Sequence, residues 1–199
     1  MSSGRGSKAN LALLLGYRED KALRLHSVLD ENNFEVHHEE NNVADFSEYS
    51  LVVSFGYRHI ISNDALKNSK AEFLNLHTSF LPYNRGAHPI FWAAAQGNPF
   101  GVSLHQIDSG LDTGPIYSQK IIELQIEETT FREAHGKVLA EAELLFTESL
   151  SEILEGRVSP KPQQEVLPAK RVRDLPAEFL GWDTLIGPEI RRLRNLGVI

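Results

Sequence analysis

Short apolar runs alternate along this chain with polar stretches of helical spacing. Residues 10–16 hold the near-continuous run Leu11–Ala12–Leu13–Leu14–Leu15, whose length and flanks predict a strand buried on both faces. Over 20–32, Ala22, Leu23, Leu25, Val28 and Leu29 recur at helical spacing, with Asp20 as N-cap and Asn32–Asn33 as the stop. Residues 34–38 predict a second strand and 51–55 a third, buried one that ends at Gly56. A short polar helix over 64–68 precedes a fourth strand over 73–77. A helix with proline in its first turn follows over 89–96, then a strand with period-two alternation over 101–107 and another over 117–123. The long pattern over 130–155 presents Val138, Leu139, Ala142, Leu145, Phe146, Leu150 and Leu154 on one wide face and closes at Gly156. Prolines at 160 and 162 then end regular structure, and 188–196 is amphipathic. Strands alternating with helices predict an α/β fold, an open and mostly parallel sheet flanked by helices, with ligands at the carboxyl ends of its strands.

Composition narrows the function classes. With 199 residues, 41% hydrophobic and 24% charged, the chain has enough apolar material for one well-buried domain, so disorder over most of its length is excluded. We read 1–9 as a flexible lead-in, 10–158 as the catalytic domain and 159–199 as a short irregular C-terminal extension. A net charge of −7 opposes generic attraction to phosphate backbones, so no nucleic-acid partner is expected. Without cysteine there is no disulfide framework, thiolate nucleophile or Cys-type zinc site, which points to a reducing, cytoplasmic setting. No apolar run approaches a membrane span, so no membrane partner is expected. Eight histidines raise the question of metal, but His37 and His38 are adjacent on a strand and point to opposite faces. No His-x-x-x-His pair exists, so no metal is expected. Gly4–Arg5–Gly6–Ser7–Lys8 follows no strand and is not a phosphate loop. The apolar set Phe179, Leu180, Trp182 and Leu185 either folds back onto the domain or buries against a second copy, and we expect a homodimer.

The chemistry concentrates between residues 75 and 115. Residues two apart on a strand face the same side, so Asn75 and His77 project together from the end of the fourth strand. An amide N–H can stabilise an oxyanion, and an imidazole can move protons when a carboxylate fixes its tautomer. Asp112, in the tight turn Leu111–Asp112–Thr113–Gly114–Pro115, is the candidate carboxylate. Taken singly, a histidine after a buried strand and an aspartate before Thr–Gly are ordinary packing and turn chemistry.

Together they resemble something specific. Asn-x-His-x-Ser-x-Leu-Pro from Asn75, Arg-Gly-x-x-Pro from Arg85, Gly-Val-Ser-x-His from Gly101 and Leu-Asp-Thr-Gly from Leu111 resemble, in order and interval, the catalytic domain of the 10-formyltetrahydrofolate-dependent formyltransferases. This group includes methionyl-tRNA formyltransferase, glycinamide ribonucleotide transformylase and the nucleotide-linked amino-sugar N-formyltransferases. The resemblance runs from about residue 51 to 164; the first fifty residues match only in element pattern, and the tail matches poorly. It implies a Rossmann-like domain and transfer of a formyl group from 10-formyltetrahydrofolate to a primary amine. Asn75 and His77 would then stabilise the oxyanion, while Asp112 holds His77 and helps, through water, to take the proton from the attacking nitrogen. It also implies a pteridine cleft formed by Phe55, Gly56, Tyr57, Arg58, His59, Ile60 and Ile61 together with Leu81, Gln106, Ile107, Asp108, Ser109 and Leu111. Backbone groups do much of that recognition, which fits Gly56 and Gly110 at these places.

The acceptor is carried by weaker signals. The place of a glycine-rich phosphate loop reads Leu15–Gly16–Tyr17–Arg18–Glu19–Asp20, unlike the transformylase. A C-terminal barrel and basic surface of the methionyl-tRNA type are not encoded, which disfavours a tRNA acceptor. Ser79, Arg85 and His88 are the candidate acceptor residues, and the leading acceptor is an amino sugar carried on a nucleotide. The same triad would serve a hydrolase that releases formate from formyltetrahydrofolate, and a non-catalytic folate-binding protein could share the scaffold.

Overall fold

The computed structural model describes residues 10–18 and 22–199. Asp20 and residues 1–9, including 4–8, lie outside the described residues. By its contacts the chain forms two compact units, 1–74 and 75–199.

In the first unit β1 (Asn10–Gly16) pairs in parallel with both β2 (Phe34–Glu39) and β3 (Leu51–Phe55), in registers running Asn10↔Phe34 to Leu15↔Glu39 and Ala12↔Leu51 to Gly16↔Phe55. This central place explains the unbroken apolar run, since Ala12 to Leu15 are all buried. Helix α1 (Leu23–Glu31) buries Leu25, Val28 and Leu29; its cap is Ala22, which makes no side-chain capping bond. The asparagine stop acts twice over. Asn32 Nδ2 donates back to Val28 O at 2.7 Å, and Asn33 turns the chain at φ 64°. Helix α2 (Asn63–Asn68) is short and starts on Ser62, whose hydroxyl accepts from the Ala65 amide.

Strand β4 (Glu72–His77) closes the first unit and opens the second. In the second unit β5 (Gly101–Gln106) pairs antiparallel with β6 (Ile116–Ile121), so the sheet is mixed. The register shifts between Leu104 and His105, pairing them with Ser118 and Ile116. β6 starts one residue earlier and ends two earlier than the alternation over 117–123 predicts. It is the edge strand, and its last residue, Ile121, is exposed.

Helix α3 (Pro89–Gln96) has the sequence-predicted bounds because Pro89 opens it and Gly97, at φ 71°, ends it. Helix α4 (Phe131–Leu154) opens on a capping box between Thr130 and Glu133 and packs against β5 and β6. Its buried face includes Phe131, Ala134 and Ile153, whereas Leu154 is 41% exposed; in the last turn Ile153 takes the inward place, three residues on from Leu150. After α4 the chain is irregular apart from isolated bridges and a 3₁₀ turn at Val172–Asp174, until α5 (Ile186–Asn195) packs against α3. Phe179 and Trp182, 4.8 Å apart between ring centroids, fold back onto Phe91 and Phe131 at 5.2 to 6.1 Å. Leu180 and Leu185 stay exposed.

Candidate active site

All the chemistry-bearing groups of the site lie in the second unit. Along β4, Phe73, Asn75 and His77 share one face while Leu74 and Leu76 are buried on the other. Asn75 Nδ2 donates to Asp112 Oδ1 at 3.2 Å, and His77 Nδ1 lies 3.6 Å from Asp112 Oδ2. The second distance is too long for a hydrogen bond. His77 Nε2 lies 3.4 Å from Asn84 O. Asp112 occupies the left-handed region at φ 53°, which turns its carboxylate inward; Oδ2 accepts from the Gly86 amide at 2.9 Å.

His105 completes the cluster. Its Nδ1 is 2.7 Å from the Gln106 carbonyl, so that nitrogen carries the proton and Nε2 is the acceptor for Asn75 Nδ2 at 3.0 Å. Burial pushes the ring down to about 4, outweighing the opposing pull of Asp112, and it is neutral at pH 7. A neutral acceptor on one side and a carboxylate on the other leave the Asn75 amide one orientation, N–H groups inward. Its oxygen, if turned there, would face two acceptors. Sequence reasoning did not single out His105 as a site residue. Its signal was present in Gly-Val-Ser-x-His, but a histidine on an alternating strand reads as ordinary packing.

Gly86 can be replaced only at high cost. At φ 84° any Cβ would stand 2.1 Å from Lys170 O, whose residue pairs with this loop through Lys170 N–H to Arg85 O and Ala87 N–H to Lys170 O, both 2.8 Å. Gly86→Ala is expected to destabilise the fold by about 3 kcal/mol. Urea denaturation checks this, and a loss within experimental error would refute it.

The Formyl transferase family model matches residues 18–149, well over half of the chain. This chain belongs to the formyl transferase family. The methionyl-tRNA formyltransferase of Thermodesulfovibrio yellowstonii is 38% identical over 117 residues, covering 58% of this chain and 37% of that protein. The GDP-perosamine N-formyltransferase of Brucella melitensis is 30% identical over 143 residues, 68% of this chain and 55% of that protein. This family member therefore spans between about a third and a little over half of the length of these relatives. The crystal structure of the formyltransferase PseJ from Anoxybacillus kamchatkensis, in complex with UDP-4,6-dideoxy-4-formamido-L-AltNAc and tetrahydrofolate, is similar at TM-score 0.79 and 32% identity, over 89% of this chain and 96% of that one.

The other residues that the formyltransferase resemblance implicates fall in different settings. Ser79 is buried; its hydroxyl donates to Tyr83 O at 2.8 Å and its carbonyl accepts from Ser103 Oγ at 2.7 Å, so it ties the turn after β4. Arg85 is only 5% exposed and donates to Leu167 O, while its Nε and Nη1 have no partner among the described residues. His88 is half-buried, caps α3 at φ 56° and packs on Trp182 with centroids 5.1 Å apart; burial lowers its pKa. Of the cleft residues in the first unit, Phe55 is in the core, Gly56 is at φ 71° and Ile61 is half-buried. Tyr57 donates to Asn41 O at 2.9 Å and stands beside His59, and Arg58 and His59 are exposed, as is Ile60 at 84%. In the second unit Leu81 is core, Gln106 and Ile107 are half-buried and Ser109 is exposed. Asp108 folds its loop by accepting from Gly110 N and Thr113 Oγ1, and Leu111 is 48% exposed.

Proposed function

We propose that this chain transfers a formyl group from 10-formyltetrahydrofolate to the primary amine of a small acceptor, an amino sugar carried on a nucleotide. The observation that carries the reading is the convergence of Asn75 and His77 on the Asp112 carboxylate at the end of β4. The donor set fits the chemistry. Asn75, with both N–H groups directed inward by His105 and Asp112, turns one of them to the oxyanion that develops on the formyl oxygen as the amine attacks. His77 supplies a second donor there, and Asp112 holds the imidazole and takes the amine proton through water. The bond from the acceptor nitrogen to the formyl carbon forms, the bond from that carbon to the folate nitrogen breaks, and the proton ends on that folate nitrogen.

The folate donor is supported by the tetrahydrofolate in the PseJ complex, and the acceptor class by the UDP-sugar there and by the GDP-perosamine N-formyltransferase relatives. Of the three acceptor candidates, His88 is the one with exposed surface, so it faces the acceptor while Ser79 and Arg85 brace the loop. The exposed Leu180 and Leu185 support a homodimer, which light scattering would report as about twice the 22.3 kDa chain mass. A chain without cysteine suits the reducing cytoplasm.

The test is incubation with 10-formyltetrahydrofolate and a panel of nucleotide-linked amino sugars, followed by mass spectrometry of the sugar and of released formate. We expect the folate to turn over only when an amino sugar is added, with the formyl group recovered on the sugar. Formate release without an amine would establish a hydrolase instead, and folate binding without turnover a binding protein.

A further inference from the structure

We propose that Gln163, in the irregular segment between α4 and α5, is a positioning residue that holds Asp112 in its working geometry. The proposal rests on the formyl-transfer reading of the site. Gln163 Nε2 donates to two carbonyls at once, Asp112 O and Gly114 O, each at 2.9 Å. These two acceptors bracket the turn that aims the Asp112 carboxylate at the Gly86 amide and at Asn75. Aspartate enters the left-handed region at a cost, so a turn built on it at φ 53° needs outside contacts to fix it. The Gln163 amide has one workable orientation, because exchanging its nitrogen and oxygen would set an acceptor against two carbonyl oxygens. It keeps that orientation although its Oε1 is buried with no partner among the described residues.

The contact belongs to a longer arrangement. Lys161 and Ile116 exchange both backbone hydrogen bonds at 2.8 Å, Arg85 donates to Leu167 O, and Lys170 exchanges bonds with Arg85 and Ala87 at 2.8 Å. The loop around Gly86 donates to the Asp112 carboxylate, and the loop before β6 carries Asp112 itself. One irregular segment therefore pins both loops that define where the carboxylate stands. Gln163 is the point at which it grips the residue that bears it.

Gln163→Ala and Gln163→Glu in this chain test the proposal, first without any substrate. The Gly86 amide, hydrogen-bonded to the Asp112 carboxylate, is the reporter, and the Leu81 amide, bonded to Ser103 Oγ at 3.0 Å, is the control. In Gln163→Ala we expect the Gly86 amide resonance to move upfield and its exchange protection to fall about tenfold or more, with Leu81 unchanged. Gln163→Glu keeps the volume but, ionised, turns oxygens toward two carbonyls. It should behave like the alanine variant at neutral pH and recover as falling pH protonates the new carboxyl into a donor. A merely structural role would move both amides together. In turnover with 10-formyltetrahydrofolate and whichever panel sugar the wild type formylates, kcat falls about 10- to 100-fold while the KM for the folate stays within about twofold. A Gly86 amide unmoved in both variants, or one that moves together with Leu81, overturns the proposal. If the wild type transfers no formyl group, the functional reading fails, and the amide reporters still decide whether Gln163 positions Asp112.

Discussion

Asp112→Asn is expected to lower turnover by about 10³- to 10⁴-fold while the chain still folds. The carboxylate accepts on both oxygens, from Asn75 Nδ2 at Oδ1 and from the Gly86 amide at Oδ2. An asparagine offers one acceptor and one donor. Whichever way its amide is turned, an N–H meets another N–H, so either Asn75 is pushed from its aim or the Gly86 loop is released. In the proposed mechanism the negative charge that supports His77 and takes up the amine proton is lost as well. His77→Ala should fail in the same direction. Single-turnover kinetics with 10-formyltetrahydrofolate checks both, with circular dichroism confirming the fold. A variant within tenfold of wild-type activity would sink the assignment of the triad.

The second large effect is on stability against acid. His105 is 2% exposed, and burial holds its folded-state pKa at about 4 against an ordinary 6.5, so the folded protein prefers the neutral ring. Between those values the unfolded chain binds the proton and the folded one resists it. The stabilisation is thus complete above pH 6.5 and is lost progressively as pH falls towards 4, by about 3 kcal/mol in all. Carboxylates whose pKa is lowered act in a lower window. Glu189, held down chiefly by its hydrogen bond to Arg192, contributes above its ordinary 4.5 and loses that contribution below it. His105→Gln, compared with the wild type by urea denaturation at pH 7 and pH 4.5, should therefore lose markedly less stability across the interval. Parallel losses in the two proteins would show that the ring does not titrate in this way.

These two residues also mark where sequence reasoning reached and where it stopped. β3 and α3 were legible because each carries its own punctuation: a mostly apolar run, broken only by Ser54, that ends at Gly56, and a proline start with a glycine stop. Asn75, His77 and Asp112 were legible because strand periodicity and turn chemistry put them in place, and the family pattern tied them together. The role of His105 was not, because a side chain becomes an acceptor for Asn75 only through its tautomer, which a neighbouring carbonyl sets. Gln163 was still further from view. Its segment docks through isolated bridges and single side-chain bonds, which leave neither a period of 2 nor one of 3.6 in the sequence.

The alternation along β4 has a consequence for partly folded chains. Only Leu76 separates Asn75 from His77, and it is buried against the core together with Leu74. Slipping the strand by one residue would turn two leucines to the Asp112 carboxylate and an amide and an imidazole into hydrocarbon, which is unfavourable on both counts. The core therefore proofreads the catalyst. A chain whose β4 has settled in the wrong register brings neither Asn75 nor His77 to the Asp112 carboxylate, so the cluster is lost whole rather than distorted.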